Sequence, residues 1–247
     1  MGRFGDESSI PLFITALNGP DGGRVASPIL NALSSLTGHA ANLALLAVWQ
    51  KLPADMQAGL IENIGARRDP MFLPLLTEQA ASEDAALRMA ALKGLSLSGL
   101  PEAAPLLAKA LETAGEQEKP LVEGWVKRYA DDLSEQNKPE AAGRAYVSLY
   151  RNAVDPDLKA IGMEGIRKYP VPEAFDLVMD MLNKGELNTI PTGSMIGIAK
   201  TAIEAGQQEQ GEKLLNEVLG KLNTPEAVQQ TMAALATMKD GPALAAK

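Results

Sequence analysis

The sequence contains no cysteine. That excludes disulfides, thiolate metal sites and a cysteine nucleophile, and it leaves both reducing and oxidising compartments open. Aromatic residues make up only 4% of the chain, so Ala, Leu and Met must fill the core, which suits closely stacked helices. His39 is the sole histidine. A two-histidine zinc site or an HExxH helix is therefore impossible. Its place after Gly38, at the start of a helix, reads as a capping or surface role. No apolar run approaches the ~20 residues of a membrane span. The opening MGRFGDESS lacks the apolar centre of a signal peptide. The chain is expected to be soluble, either cytoplasmic or exported after removal of a signal. β-branched runs with period-two alternation are missing, so no sheet is expected. The net charge of −8 is unfavourable for affinity built on phosphate neutralisation, and no nucleic-acid partner is expected.

What the sequence does contain is repetition. Asp84 to Gly99, DAALRMAALKGLSLSG, has the pattern of an amphipathic helix. Its Leu87, Leu92 and Leu95 stand at offsets 0, +5 and +8, on one side of a helix, with Ala91 beside them. Met56, Ile61 and Ile64 repeat those offsets 31 residues upstream, and Val25, Leu30 and Leu33 repeat them 31 further up. Downstream copies are Leu121-Val126-Tyr129, Leu158-Met163-Ile166, Ile190-Met195-Ile198 and Ala227-Met232-Leu235, at steps of 34, 37, 32 and 37. A second outline lies between copies of the first: Ile10-Pro11-Leu12-Phe13, Leu73-Pro74-Leu75-Leu76 and Ala104-Pro105-Leu106-Leu107. Proline is tolerated in the first turn of a helix, where its missing N–H loses no partner. Each unit therefore reads as helix A with an early proline, a turn, and helix B. Helix pairs recurring at this period indicate a solenoid.

The unit resembles a HEAT repeat, in particular the short HEAT-like repeats common in bacterial proteins. The residues that carry the likeness are the helix-A proline, Asp84, Leu87-Arg88, Ala90-Ala91-Leu92 and Gly94-Leu95. Asp157-Leu158-Lys159 and Gly165-Ile166 repeat the beginning and end of that helix. A tetratricopeptide array has a similar period of ~34 residues, but its Trp-Leu-Gly-Tyr signature is absent. The resemblance implies an all-α, right-handed α-α superhelix of about seven antiparallel helix pairs, with helices B lining a concave surface. It also implies that Arg88 pairs with an acid of a neighbouring repeat. The whole chain, 1–247, reads as one HEAT-like repeat domain. The polar stretch 134–139, SEQNKP, is the expected hinge. The chain begins its first repeat without a polar cap, as a piece of a larger multidomain protein would.

Motifs for chemistry are weak. Asn18 to Gly23 is Gly-rich but lacks the Gly-Lys-Ser/Thr ending of a phosphate loop, and reads as a turn. Ser96 and Ser98 do not form a GxSxG elbow and read as a helix end. Asp131-Asp132 and Glu116 with Glu118 read as solvated faces. Asp155-Pro156-Asp157 lacks the calcium-loop ladder and reads as a helix cap. No catalytic residue, cofactor or metal ligand is assigned. Trp125, Lys127, Arg128 and Tyr129 lie together on helix B of the fourth repeat, with Tyr129 in the core and Trp125 partly buried. Trp, Tyr and Arg dominate binding energy at interfaces. Arg67-Arg68 and Arg88 add basic spots.

These observations point to a non-catalytic protein-binding or scaffolding module. Another protein or peptide would occupy the concave face through Arg88, Trp125, Arg128 and Lys159. The alternative is an HEAT-like enzyme, such as a phycobilin lyase or an alkyl-base DNA glycosylase; the glycosylase would need a basic face, which the charge disfavours. The Met-rich, aromatic-poor part from Met163 to Met195 is expected to pack more loosely than the first three repeats. Its amide hydrogens should exchange faster, and uniform protection along the chain would refute this.

Overall fold

The computed structural model describes residues 7–19, 21–49, 51–184, 191–221 and 225–244. Among these, fourteen α-helices and no strand are found, which makes seven helix pairs. The helices are α1 (Ile10–Leu17), α2 (Gly22–Ser35), α3 (His39–Trp49), α4 (Ala54–Ala66), α5 (Leu73–Ala80), α6 (Ala85–Ser98) and α7 (Ala104–Thr113). They continue as α8 (Lys119–Glu135), α9 (Pro139–Asn152), α10 (Pro156–Lys168), α11 (Phe175–Lys184), α12 (Thr192–Glu204), α13 (Gln208–Lys221) and α14 (Pro225–Leu244). Odd-numbered helices are helices A and even-numbered ones helices B. The chain divides into two compact units, residues 1–110 and 111–247. The segment 134–139, read above as a hinge, lies inside the second unit, where α8 turns into α9.

Local chemistry starts and stops the helices. Asp84 caps α6 by accepting the Ala86 and Leu87 N–H groups at 2.8 and 3.2 Å. Asp155 caps α10 through the Asp157 N–H at 2.8 Å, as expected for a helix cap. Pro11 and Pro74 occupy the first turns of α1 and α5, and Pro120, Pro139 and Pro156 those of α8, α9 and α10. A short 3-10 turn that begins with proline, Pro70, Pro101 or Pro172, leads into α5, α7 and α11, a feature absent from the sequence-based reading. Several helices B are followed by a residue in the left-handed region: Arg68 (φ 55°), Gly99 (φ 58°), Asn137 (φ 57°) and Gly206 (φ 83°). That conformation ends a helix and redirects the chain into the next helix A. Pro191 flanks α12 and Pro225 opens α14, both as read from the sequence. Pro20, the middle of the 184–192 turn, Ile190 and Thr224 lie outside the described residues. The tail from Gly241, expected to fray, continues α14 as far as Leu244.

Within each unit, helices B stack on one another. In the first unit α4 packs on α2 and on α6; in the second α10 packs on α8 and α12, and α12 on α14. The +5 and +8 positions of the repeated outline form this core: Leu92 and Leu95, Ile61 and Ile64, Leu30 and Leu33, Val126 and Tyr129, Met163 and Ile166, Met195 and Ile198 are all buried. The offset-0 position is a correction. Leu87, Met56, Val25 and Leu158 are only half-buried, and Leu121 is 54% exposed. These residues sit in or near the first turn of their helices, before the crossing with the neighbour is reached. The copy in α14 is corrected too. Met232 is 57% exposed, while Thr231 and Ala234 are buried, so small residues face the stack there; the side chains of Ala227 and Leu235 lie outside the described ones.

The sequence period returns as a period of contacts. Lys93 with Glu62, Arg67 with Leu36, Glu123 with Val154 and Tyr150 with Met181 each join residues 31 apart. Helices α4 and α6 approach closely where Gly65 and Gly94 meet. A Cβ on Gly65 would overlap the Gly94 carbonyl oxygen, and one on Gly94 would lie 2.9 Å from Leu76 Cδ2 and 3.0 Å from the Ile61 carbonyl oxygen. Gly59, one helical face away on α4, has nothing within 4 Å of a Cβ. Gly65→Ala should therefore destabilise the first unit by about 1–3 kcal/mol through overpacking. Gly59→Ala should stabilise it by about 0.5–1 kcal/mol by raising helix propensity. Urea midpoints of the two variants should move in opposite directions, and a shared sign would refute the close-contact account.

Candidate interaction surface

A binding face built from helices B must first be held rigid. Arg67, at the end of α4, provides the clasp in the first unit. Its Nη2 donates to the Leu33, Ser34 and Leu36 carbonyls at 2.8, 3.0 and 2.8 Å, and its Nη1 to Asn42 Oδ1 at 2.5 Å. Asn42 Nδ2 in turn donates to Asp69 Oδ2 at 2.7 Å, and Asp69 Oδ1 accepts the Met71 N–H at 3.0 Å. The guanidinium thus gathers carbonyls at and just after the end of α2, where donors within the helix run out. Burial lowers the Arg67 pKa from its ordinary value, and the Asp69 charge opposes this. Arg67 was read from the sequence as a basic spot for a partner; it is a structural link between repeats.

Beside this clasp, α2 and α4 leave a cavity of about 320 Å³ on the helix-B face. Ser27, Asn31 and Ser34 line it from α2, and Met56, Gly59 and Asn63 from α4. Asn63 Oδ1 is buried and has no hydrogen-bond donor. An acceptor removed from water without a donor costs about 1–3 kcal/mol. On the neighbouring helix pair, Lys93 Nζ of α6 lies 2.7 Å from Glu62 Oε2 of α4, both about 40% exposed. The lining of small polar residues was not singled out in the sequence, because Ser and Asn in helices carry no periodic signal. The alignment of offsets +2, +6 and +9 in the first copy and +3 and +7 in the second would have found it.

In the second unit, α8 carries the sequence-predicted cluster, and the structure divides its labour. Tyr129 is fully buried, Trp125 half-buried and Arg128 exposed. Trp125 and Arg128 are one turn apart on the same face of α8. Lys127 pairs with Asp131 at 2.6 Å, and Asp131 also accepts the Tyr146 hydroxyl at 2.7 Å. Asp131 is thus a bound network member, which corrects its reading as a solvated acid. The Tyr146 ring stacks on Tyr169, centroids 6.3 Å apart and planes 6° from parallel, and the Tyr169 hydroxyl lies 2.5 Å from Ser134 Oγ. Burial, then the bond to Asp131, raises the Tyr146 pKa well above the ordinary tyrosine value. The Lys168 ammonium lowers that of Tyr169. Lys159 is exposed in the first turn of α10, the helix B that packs on α8.

Arg88 belongs to the first unit. Half-buried, its Nη1 donates to the Ser82 carbonyl at 3.1 Å and approaches that of Glu83 at 3.4 Å, bracing the turn before its own helix. Ser96 and Ser98 are buried and donate to the Lys93 and Leu95 carbonyls of their own helix at 2.7 Å each, so neither is a nucleophile. His39 is exposed at the first position of α3. Among the described residues, no group of His, Cys, Asp and Glu is arranged to hold a metal ion, and no helix is long and apolar enough to cross a membrane.

Comparison with protein-family models matches residues 42–118 to HEAT repeats. Residues 42–118 carry HEAT repeats. The matched stretch runs from α3 through the turn before α8 and contains the Arg67 clasp and the Gly65–Gly94 crossing. Searches of curated proteins and of solved structures each returned no significant match. HEAT repeats usually mediate protein interactions or scaffolding, and the family is generally non-catalytic. Because Arg67 serves the fold of these HEAT repeats, Arg67→Met should lower stability by about 2–4 kcal/mol, the scale of several lost charge-assisted hydrogen bonds. A thermal melt unchanged from the parent protein would show that the clasp is energetically idle.

Proposed function

We propose that this protein is a non-catalytic binding module that holds another protein or peptide on its helix-B face, the concave one in arrays of this kind. The observation that carries the reading is the α2–α4 cavity, where Ser27, Asn31, Ser34 and Asn63 are interleaved with Leu30, Met56 and Leu60. A peptide backbone can hydrogen-bond to Ser27, Asn31 and Ser34 along this groove, with its apolar side chains against the leucines. In the second unit the half-buried Trp125 and exposed Arg128 of α8 supply an aromatic and a cationic contact, the residue types that dominate interface energetics. Arg88 and Lys159 are the remaining contacts proposed, one in each unit. A broad helical surface distributes contacts over many residues, which suits a macromolecular partner better than a small reactant.

The test is site-specific photo-crosslinking in cells of the source organism. A photoreactive residue at Asn31, Asn63 or Arg128, all on helices B, should trap the same protein. One at Glu78, exposed on helix α5, should not. Equal capture from Glu78 would reject the helix-B face. Release of base from alkylated DNA, or attachment of a bilin to an apoprotein, would reject the non-catalytic reading.

A further inference from the structure

A second cavity, of about 700 Å³, lies within the second unit. It opens between the turn before α8 and the turn before α10. Pro120, Val154 and Pro156 form its apolar walls, and Glu116, Lys119, Glu123 and Asp155 its charged ones. Val154 is 73% exposed, so the wall it makes is an uncovered apolar surface. Glu123 is the opposite case, a carboxylate only 3% exposed. Its Oε1 accepts the Val154 backbone N–H from the next repeat. Among the described residues no basic side chain pairs with it. Lys119, the one cation in the lining, is engaged with the Leu111 carbonyl oxygen at the end of α7. Three carboxylates therefore face one ammonium that is already used.

A buried carboxylate is stable when a cation completes its coordination. The lining does not provide a metal cage, since no such group is found among the described residues. Its sign disfavours phosphates and acidic peptides. Its apolar walls suit hydrocarbon next to the cationic group, as in the long stems of arginine and lysine.

We propose that this groove seats an arginine or lysine side chain, flanked by apolar residues, from a partner protein. Glu123 and Asp155 contact the cation, and Pro120, Val154 and Pro156 cover its stem and the neighbouring apolar residue. The proposal rests on the reading of the chain as a protein-binding module but not on the helix-B face.

The probe is the capped tripeptide acetyl-Leu-Arg-Leu-amide, titrated into the full chain and followed by backbone amide NMR. Shifts should concentrate at Glu123, Val154 and Asp155, and the capped Leu-Glu-Leu peptide should produce none there. Glu123→Gln retains an oxygen that accepts the Val154 N–H but removes the charge, and should weaken binding at least about tenfold. Asp155→Asn, which keeps the helix cap, should weaken it as well and guards against a folding defect in the first variant. Absence of shifts at this groove, or binding unchanged in both variants, would overturn the proposal. Shifts confined to α2 and α4 would overturn it too, while leaving the helix-B reading standing.

Discussion

Everything in this chain depends on how closely one helix B can approach the next. A lone hairpin of two short helices cannot bury its apolar stripe, so each must be covered by its neighbours. Between α4 and α6 the approach is limited by backbone alone, because Gly65 and Gly94 put no side chain in the crossing. The buried pairs Ile61 with Ile64 and Leu92 with Leu95 then interleave on either side. Each such side chain contributes about 1.5–3 kcal/mol when removed from water. A hairpin holds few of them, so the stack and not the hairpin is the stable object. Inside one pair the limit is a side chain: a Cβ on Gly165 of α10 would enter the ring of Tyr146 of α9.

Polar links between successive repeats supply direction that apolar contact lacks. Arg67 reaches across to the carbonyls ending α2, Glu123 to the N–H preceding α10, and Ser134 to the hydroxyl of Tyr169. Each joins the end or start of one helix to a neighbouring repeat. Hydrogen bonds restrict angle as well as distance, so they set how one pair is seated on the next. Because they use the helix ends and turns, the outward faces of helices B remain available. The polar α2–α4 groove and the exposed Arg128 and Lys159 occupy such faces. The side chains that hold the stack are thus largely different from those left exposed on helices B.

Legibility of the sequence followed the physics of each feature. Helix pairs, their starts at Asp84, Asp155, Pro191 and Pro225, and the core role of the +5 and +8 positions were readable, because periodicity and capping are local. The offset-0 position was misjudged: an apolar residue in the first turn matches the pattern yet lies short of the crossing, as Leu121 demonstrates. In α14 Met232 matched the outline yet is exposed, while Thr231 and Ala234 are buried, because Ala- and Met-rich text fits an apolar template easily. Arg67 and Asp131 looked like surface charges because their partners are distant in sequence or on another helix. Arg67 stands 31 residues after Leu36, one repeat length, and that spacing was the one available signal.

The sequence by itself determined the all-α class, the number of helix pairs and most of the +5 and +8 residues that face inward, since 3.6-residue periodicity and a near-31-residue repeat leave no other economical way to cover the apolar stripes. It also excluded cysteine chemistry and a two-histidine metal site outright. Only the tertiary structure decided which charges are structural and which are available. It buried Glu123 beside an open cavity, drew Arg67 into the fold and left Asn63 Oδ1 without a donor. The reason is that partners of a polar group are chosen by packing between repeats, and a linear pattern records periodicity but not which neighbour a side chain meets.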